Sequence, residues 1–356
     1  MNYLRQLDGL RALSVAAVAW SHWSVYWFPA SSIPWAAFGV ETFFVISGFL
    51  ITGILLDNRS AMSKSLVLKQ FYARRFLRIF PLFYATLFIA FIFQAGSVSQ
   101  TWYWHASYLS NVYFYIRGWQ GQLSHFWSLA VEEQFYLFWP LLMIFLPGRC
   151  LLPAILISIG VAPLFETVMD SFYPGHSPQV SAHVLMPSCM DALGMGALLA
   201  YGVRNKFPMK RLALMLGLVG SLGCALWGFS TAFKPIGRLA EDCILGWLVF
   251  SAASGFRGPV GWFLECPPMN YLGKISYGLY IIHNFAVSIC ASLLLLFGNP
   301  AWVVKLYNIP VLRILAFAGL TIGLAACSWH GFEKPINNLK RKFPYPGDAA
   351  TPPPTS

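Results

Sequence analysis

The sequence predicts an all-α integral membrane protein of about ten transmembrane helices with both termini cytoplasmic, and three observations carry that expectation. Hydrophobic residues make up 57% of the 356 positions and charged residues only 10%, where soluble domains carry roughly 25% charged residues. Apolar runs of membrane-crossing length recur along the chain. Lysines and arginines are also distributed unevenly between alternate loops, as the positive-inside rule requires.

Runs of roughly 17–25 apolar residues are the unit to seek, and ten can be drawn, at about 10–28, 36–56, 77–95, 127–147, 150–167, 185–203, 211–230, 238–256, 275–298 and 311–332. The first carries Arg11 and His22 and lacks a small-residue cleavage site, so it reads as a retained span and not a signal peptide. The fourth and sixth hold Glu132, Glu133 and Asp191. The piece TWYWHASYLSNVYFYIRGWQ (101–120) is aromatic but too polar to span, and reads as interfacial or re-entrant. With the termini inside, only Arg117, Lys234, Arg238, Lys305 and Arg313 of the 24 Lys and Arg residues fall outside. The net charge of +11 is then a topology signal and calls for no nucleic-acid partner. Residues 1–335 form one membrane domain, and 336–356 a short basic, then Pro-rich, cytoplasmic tail expected to be disordered. The seven cysteines are scattered singly and indicate neither a disulfide framework nor a metal site.

Ionisable groups in lipid cost about 2.5–3.5 kcal/mol or more at mid-helix, so each needs a reason. Arg11 and His22 are eleven residues apart, about 1,100° of helix, and so share a face roughly 16 Å apart along the axis. Asp8 before Gly9 reads as an N-cap that leaves helix N–H groups for an anion. In YARRFLRIFPLFY, Arg74, Arg75 and Arg78 are either an ordinary cytoplasmic flank or a phosphate clamp. HFWSLAVEEQFYLFWP brings His125, Trp127, Ser128, Glu132, Glu133 and Tyr136. Adjacent glutamates project about 100° apart, so at most one faces a given partner. Tyr277, Tyr280 and His283 in GKISYGLYIIHN, and Glu333 in WHGFEKP, complete the set. Snorkelling and interface anchoring account for any one of these alone; cations at one end with His and Glu deeper in fit a site better.

A donor with phosphates at one end and a reactive group on an arm of about 15–20 Å matches the Arg11–His22 rise, and coenzyme A thioesters have that shape. Arg11, Arg74, Arg75 and Arg78 would hold the phosphates. His22 would act as general base on an acceptor hydroxyl arriving from the other side, or as a transient acyl carrier. Glu133 would orient its imidazole. Asp8, Ser47, Trp127, Ser128, Glu132, Tyr136, Tyr277, Tyr280, His283 and Glu333 would support the site or meet the acceptor. No tightly bound cofactor is expected; acetyl-CoA is a co-substrate.

LDGLRALSVAAVAWSH, GVETFFVISGFLI, RRFLRIFPLFY, FWSLAVEEQFYLFWP, ISYGLYIIH and FEKP occur in this order from Leu7 to Pro335, and together they resemble the acyltransferase-3 family of membrane acyltransferases. The resemblance implies an approximately ten-helix inner-membrane protein that moves an acyl group, usually acetyl, from cytoplasmic acyl-CoA to hydroxyls of extracytoplasmic polysaccharide, oligosaccharide or glycolipid. It also implies that Arg11 and His22 are essential and that Arg75 and Arg78 serve the donor. Glu41-Thr42 stands where the family usually has Asp-Leu, and Cys189 where many members carry Arg. The esterase-like domain fused to some members is absent, so the chain is expected to reach its acceptor unaided or with a separate partner. Residues 96–126 and 168–184 would shape acceptor choice. The competing reading is a proton-coupled transporter or flippase with His22 and Glu133 as relay, although no pair of related halves is visible.

Overall fold

The computed structural model describes residues 4–24, 34–95, 98–172, 180–227, 234–298 and 300–346. Long apolar runs become helices because a bilayer offers no water to satisfy backbone N–H and C=O groups, and the described residues hold no strand. The order is α1 (Arg5–Ser24), α2 (Trp35–Asn58), α3 (Lys64–Ile92), α4 (Val98–Ala106), α5 (Ser110–Arg117), α6 (Phe126–Phe145), α7 (Gly148–Phe172) and α8 (Met190–Arg204). Then come α9 (Met209–Trp227), α10 (Lys234–Ser254), α11 (Gly258–Glu265), α12 (Pro267–Lys274), α13 (Ser276–Leu296), α14 (Ala301–Tyr307), α15 (Pro310–Ser328) and α16 (Lys334–Asn338).

The described parts of all ten expected spans fall largely on helices, but fewer qualify as spans. Among the described residues, six helices are long and apolar enough to cross a membrane: α2, α3, α7, α9, α13 and the run Pro310–Lys342; a seventh counts if α10 and α11, bent by 79°, are one span. The count of ten is corrected to that extent. The helices that fall short are α1, α6 and α8. The first two carry Asp8, Arg11, Glu132 and Glu133, and α8 has only 15 residues, about 22 Å of helix. The aromatic piece 101–120 forms the short helices α4 and α5, broken at Tyr108, whose φ of 53° is left-handed. Residues 25–28 of the first expected span, 228–230 of the seventh, 96–97 and 173–179 of the expected acceptor-side stretches, and 347–356 of the expected tail lie outside the described residues.

Helix α1 is the hub, packing on α2, α10, α11, α12, α13 and α15. Close backbone approach holds it there. A Cβ on Gly273 would stand 1.9 Å from the Asp8 carbonyl oxygen, and one on Gly9 2.3 Å from that of Leu264. Helices α2 and α8 cross just as tightly, since a Cβ on Gly48 would sit 1.9 Å from the Leu193 carbonyl oxygen. Small residues at such crossings let helices associate where apolar burial gives no drive.

Candidate functional site

The arginines that the sequence singles out separate into two groups. Arg11 on α1 and Arg75 and Arg78 on α3 line one hollow of about 820 Å3, with Ser47, Ser128, Glu132, Glu133, Tyr136, Tyr277 and Tyr280 on its walls. Arg75 stands over the rings of Phe71 (5.7 Å) and Tyr136 (5.3 Å), a placement that orients a guanidinium while leaving its edge for other partners. Arg74 instead faces another way. Its Nη1 donates to the Phe343 carbonyl (3.1 Å) and it covers the Tyr345 ring (4.8 Å).

Asp8 does not cap the helix as expected. The helix starts at Arg5, so Asp8 falls in its first turn and its Oδ1 accepts from Arg11 Nη1 at 2.9 Å. The two glutamates diverge as adjacent helical residues must. Glu132 accepts from Ser47 Oγ (2.8 Å) and from the Tyr136 hydroxyl (3.1 Å). Glu133, whose Oε1 is buried without a partner, also faces an apolar side groove shared with Tyr108 and Leu137.

A second hollow, about 850 Å3, is lined by Asp8, Arg11, Arg78, Lys274, Tyr277, Glu333 and Asn337. A third, also about 850 Å3, is lined by Val40, Ser124, His22, His125, Trp127, His183 and Tyr280. The first shares Arg11, Arg78 and Tyr277 with the second, and Val40 and Tyr280 with the third. The three hollows therefore form one row, arginines at one end and histidines at the other, along the face of α1 that carries Arg11 and His22.

At the histidine end, His22 Nδ1 lies 2.8 Å from His283 Nε2, with the rings stacked at 5.0 Å. His283 Nδ1 lies 2.6 Å from the Tyr280 carbonyl oxygen. A carbonyl only accepts, so His283 carries its proton on Nδ1. In the neutral ring its Nε2 is then the acceptor, and His22 Nδ1 is the donor. That leaves His22 Nε2 with its lone pair. The same logic fixes His125, whose Nε2 meets the Ile281 carbonyl (3.1 Å) and whose Nδ1 accepts from Asn284 Nδ2 (2.9 Å). Trp23 Nε1 donates to the His283 carbonyl at 3.1 Å, and the Tyr280 hydroxyl sits 2.5 Å from Ser128 Oγ.

The ring partner of His22 is thus His283 and not Glu133. His125 and Asn284 join the site without having been assigned a role from sequence; their signal was polarity in otherwise apolar runs. Tyr277 donates to the Ile79 carbonyl (2.7 Å), and Glu333 accepts from Ser328 (2.9 Å) in the π-helical turn Trp329–Glu333. Sequence reasoning also missed a second polar cluster. Arg238, counted above among the outer-loop cations, is half-buried and ringed by Glu166 (2.5 Å), Asp191 (2.7 Å) and Glu41 (3.7 Å). Cys189 lies beside this network, its Sγ donating to the His183 carbonyl at 3.0 Å.

A family model described as "Acyltransferase domain" matches residues 4–330. The chain belongs to this acyltransferase family. It is similar to the peptidoglycan O-acetyltransferase OatA of Listeria monocytogenes, 28% identical over 94% of this chain and 56% of that protein. It is likewise 29% identical to the O-acetyltransferase OatA of Staphylococcus aureus, over 94% of this chain and 57% of that protein. The chain spans about half the length of these relatives. No solved structure matches it.

Proposed function

We propose that this protein is an O-acetyltransferase of the bacterial inner membrane. It would take acetyl from cytoplasmic acetyl-CoA and pass it to a hydroxyl of a glycan on the other side. The observation that carries this reading is the row of hollows running from Arg11, Arg75 and Arg78 to His22. Arg11 and His22 on its walls are about 16 Å apart by helical rise, which suits a phosphate-bearing donor with a thioester on a long arm. The excess of Lys and Arg at the arginine end supports a cytoplasmic donor side. The names of the relatives make peptidoglycan the first acceptor to test.

In the proposed step, His22 Nε2 takes the proton of the acceptor hydroxyl as its oxygen attacks the thioester carbon. His283 holds the Nδ1 proton of His22 and so keeps Nε2 the basic nitrogen. When the tetrahedral intermediate collapses, the carbon–sulfur bond breaks and the proton on Nε2 goes to the departing thiolate. The products are the glycan ester and coenzyme A thiol. A covalent variant, in which Nε2 itself carries the acetyl group, uses the same nitrogen.

The test is the O-acetyl content, by proton NMR, of surface glycan from a deletion strain complemented with wild-type or His22→Ala protein at matched membrane levels. Acetyl signal with wild type and none with His22→Ala is the expected result. Equal signal from both would overturn His22 as the base. Absence of signal from both would overturn acetyl as the group or the tested glycan as acceptor.

A further inference from the structure

The basic segment after α15, read from sequence as a tail, packs against the arginine helix. The π-helical turn Trp329–Glu333 redirects the chain; α16 and the 3-10 turn Leu339–Lys342 then lie on α3. Both ends of this strap are fixed. Ser328 bonds Glu333 at one end, and at the other Arg74 donates to the Phe343 carbonyl and covers the Tyr345 ring, which is only 6% exposed. Between the anchors, Asn337 lines the hollow that holds Arg11, Arg78 and Lys274. Lys340 lies in the 3-10 turn that packs on α3, the helix of Arg74, Arg75 and Arg78.

Cations brought together this way repel unless an acid lies among them. Two acids line that hollow, Asp8, which is paired with Arg11, and Glu333, and its three cations Arg11, Arg78 and Lys274 outnumber them. Among the described residues no carboxylate pairs with Lys340. A ligand with several negative charges would offset the repulsion, and ammonium and guanidinium groups are the ordinary ligands of phosphate.

We propose that the strap 334–346 is the outer wall of the donor's mouth and that Lys340 is a phosphate ligand in it. Lys340 would act with Arg75 and Arg78 on the nucleotide end of a coenzyme A thioester. The inference rests on the acyl-CoA reading above and extends it to a segment beyond the family match, which ends at residue 330.

The test uses the full chain in nanodiscs of phosphatidylcholine, with and without phosphatidylglycerol, and titrates coenzyme A by calorimetry. The variants are Lys340→Met, which keeps the apolar stem, and Lys340→Arg, each checked for an unchanged melting temperature. The expected result is a Kd about tenfold weaker for Lys340→Met, as for one lost charged hydrogen bond, and close to wild type for Lys340→Arg. Wild-type binding with Lys340→Met equal or tighter would overturn the role of Lys340 while leaving the donor reading intact. Unchanged coenzyme A affinity with a stability effect confined to phosphatidylglycerol discs would assign Lys340 to a lipid headgroup and overturn the proposal. No binding by the wild type would overturn both readings.

Discussion

Two arginine clusters lie in the apolar body of this protein, and they are built on opposite plans. Arg238 is saturated: three carboxylates from three helices surround it, it also donates to the Ser188 carbonyl at 2.9 Å, and it lines none of the three hollows described above. Arg11, Arg75 and Arg78 converge on one hollow that Glu132 and Glu133 also line, and among the described residues their one ion pair is Arg11 to Asp8. A charge in an apolar helix therefore does not by itself mark a binding site. What separates the structural cluster from the candidate one is whether its charged groups face one another or a cavity. Arg238 ties α2, α7, α8 and α10 together, whereas the others leave room for an anion.

That contrast can be broken at either end. The largest effect expected is on chemistry: His22→Ala should lower acetyl transfer by about 10²–10⁴-fold, the range for loss of a general base, with membrane level and melting temperature unchanged. Arg238→Leu should do the reverse. It strands Glu41, Glu166 and Asp191 without their cation, a loss of about 3–5 kcal/mol in stability. It should be seen as a lower melting temperature and less folded protein, with whatever folds retaining affinity for coenzyme A. Adding Glu166→Gln and Asp191→Asn to Arg238→Leu should recover part of that stability. An Arg238→Leu protein that melts like wild type yet fails to bind donor would erase the distinction between the clusters.

The local periodicities were legible in the sequence, and the long-range pairings were not. The Arg11–His22 spacing is a property of one helix, and both residues line the same row of hollows. The divergence of Glu132 and Glu133 follows from helical geometry alone and is observed. His283 is 261 residues from His22, and no periodicity within one helix can reveal that pairing; Glu133 took its place in the expectation because it was the nearest acid in a motif. The Asp8 cap failed because α1 starts at Arg5, three residues before it. Fewer than ten described helices meet a length and apolarity test because α1 and α6 carry the site's polar groups and α8 is short, so their helical character outlasts their hydropathy. Arg238 looked like a loop cation because its three partners come from other helices.

A smaller effect tests whether His283 positions His22 or merely packs beside it. Partners that fix a functional imidazole are worth about 10–100-fold in metal sites, and a similar loss of acetyl transfer is expected for His283→Ala. Two readings distinguish positioning from packing. First, the apparent KM for acetyl-CoA should stay within about twofold while kcat falls, because in the proposed reading the donor's charged end is held at the arginine cluster about 16 Å away along α1. Second, His283→Gln should recover much of kcat, since its amide oxygen can accept from His22 Nδ1 and keep the basic lone pair on Nε2. Arg78→Gln is the mirror image and the mildest change of the series: a rise of about tenfold in KM for acetyl-CoA, the cost of one charged hydrogen bond, with kcat nearly preserved. If His283→Ala raised KM and Arg78→Gln lowered kcat, the division into a holding end and a reacting end would be wrong. The row of hollows would then have to be read as a single mixed site.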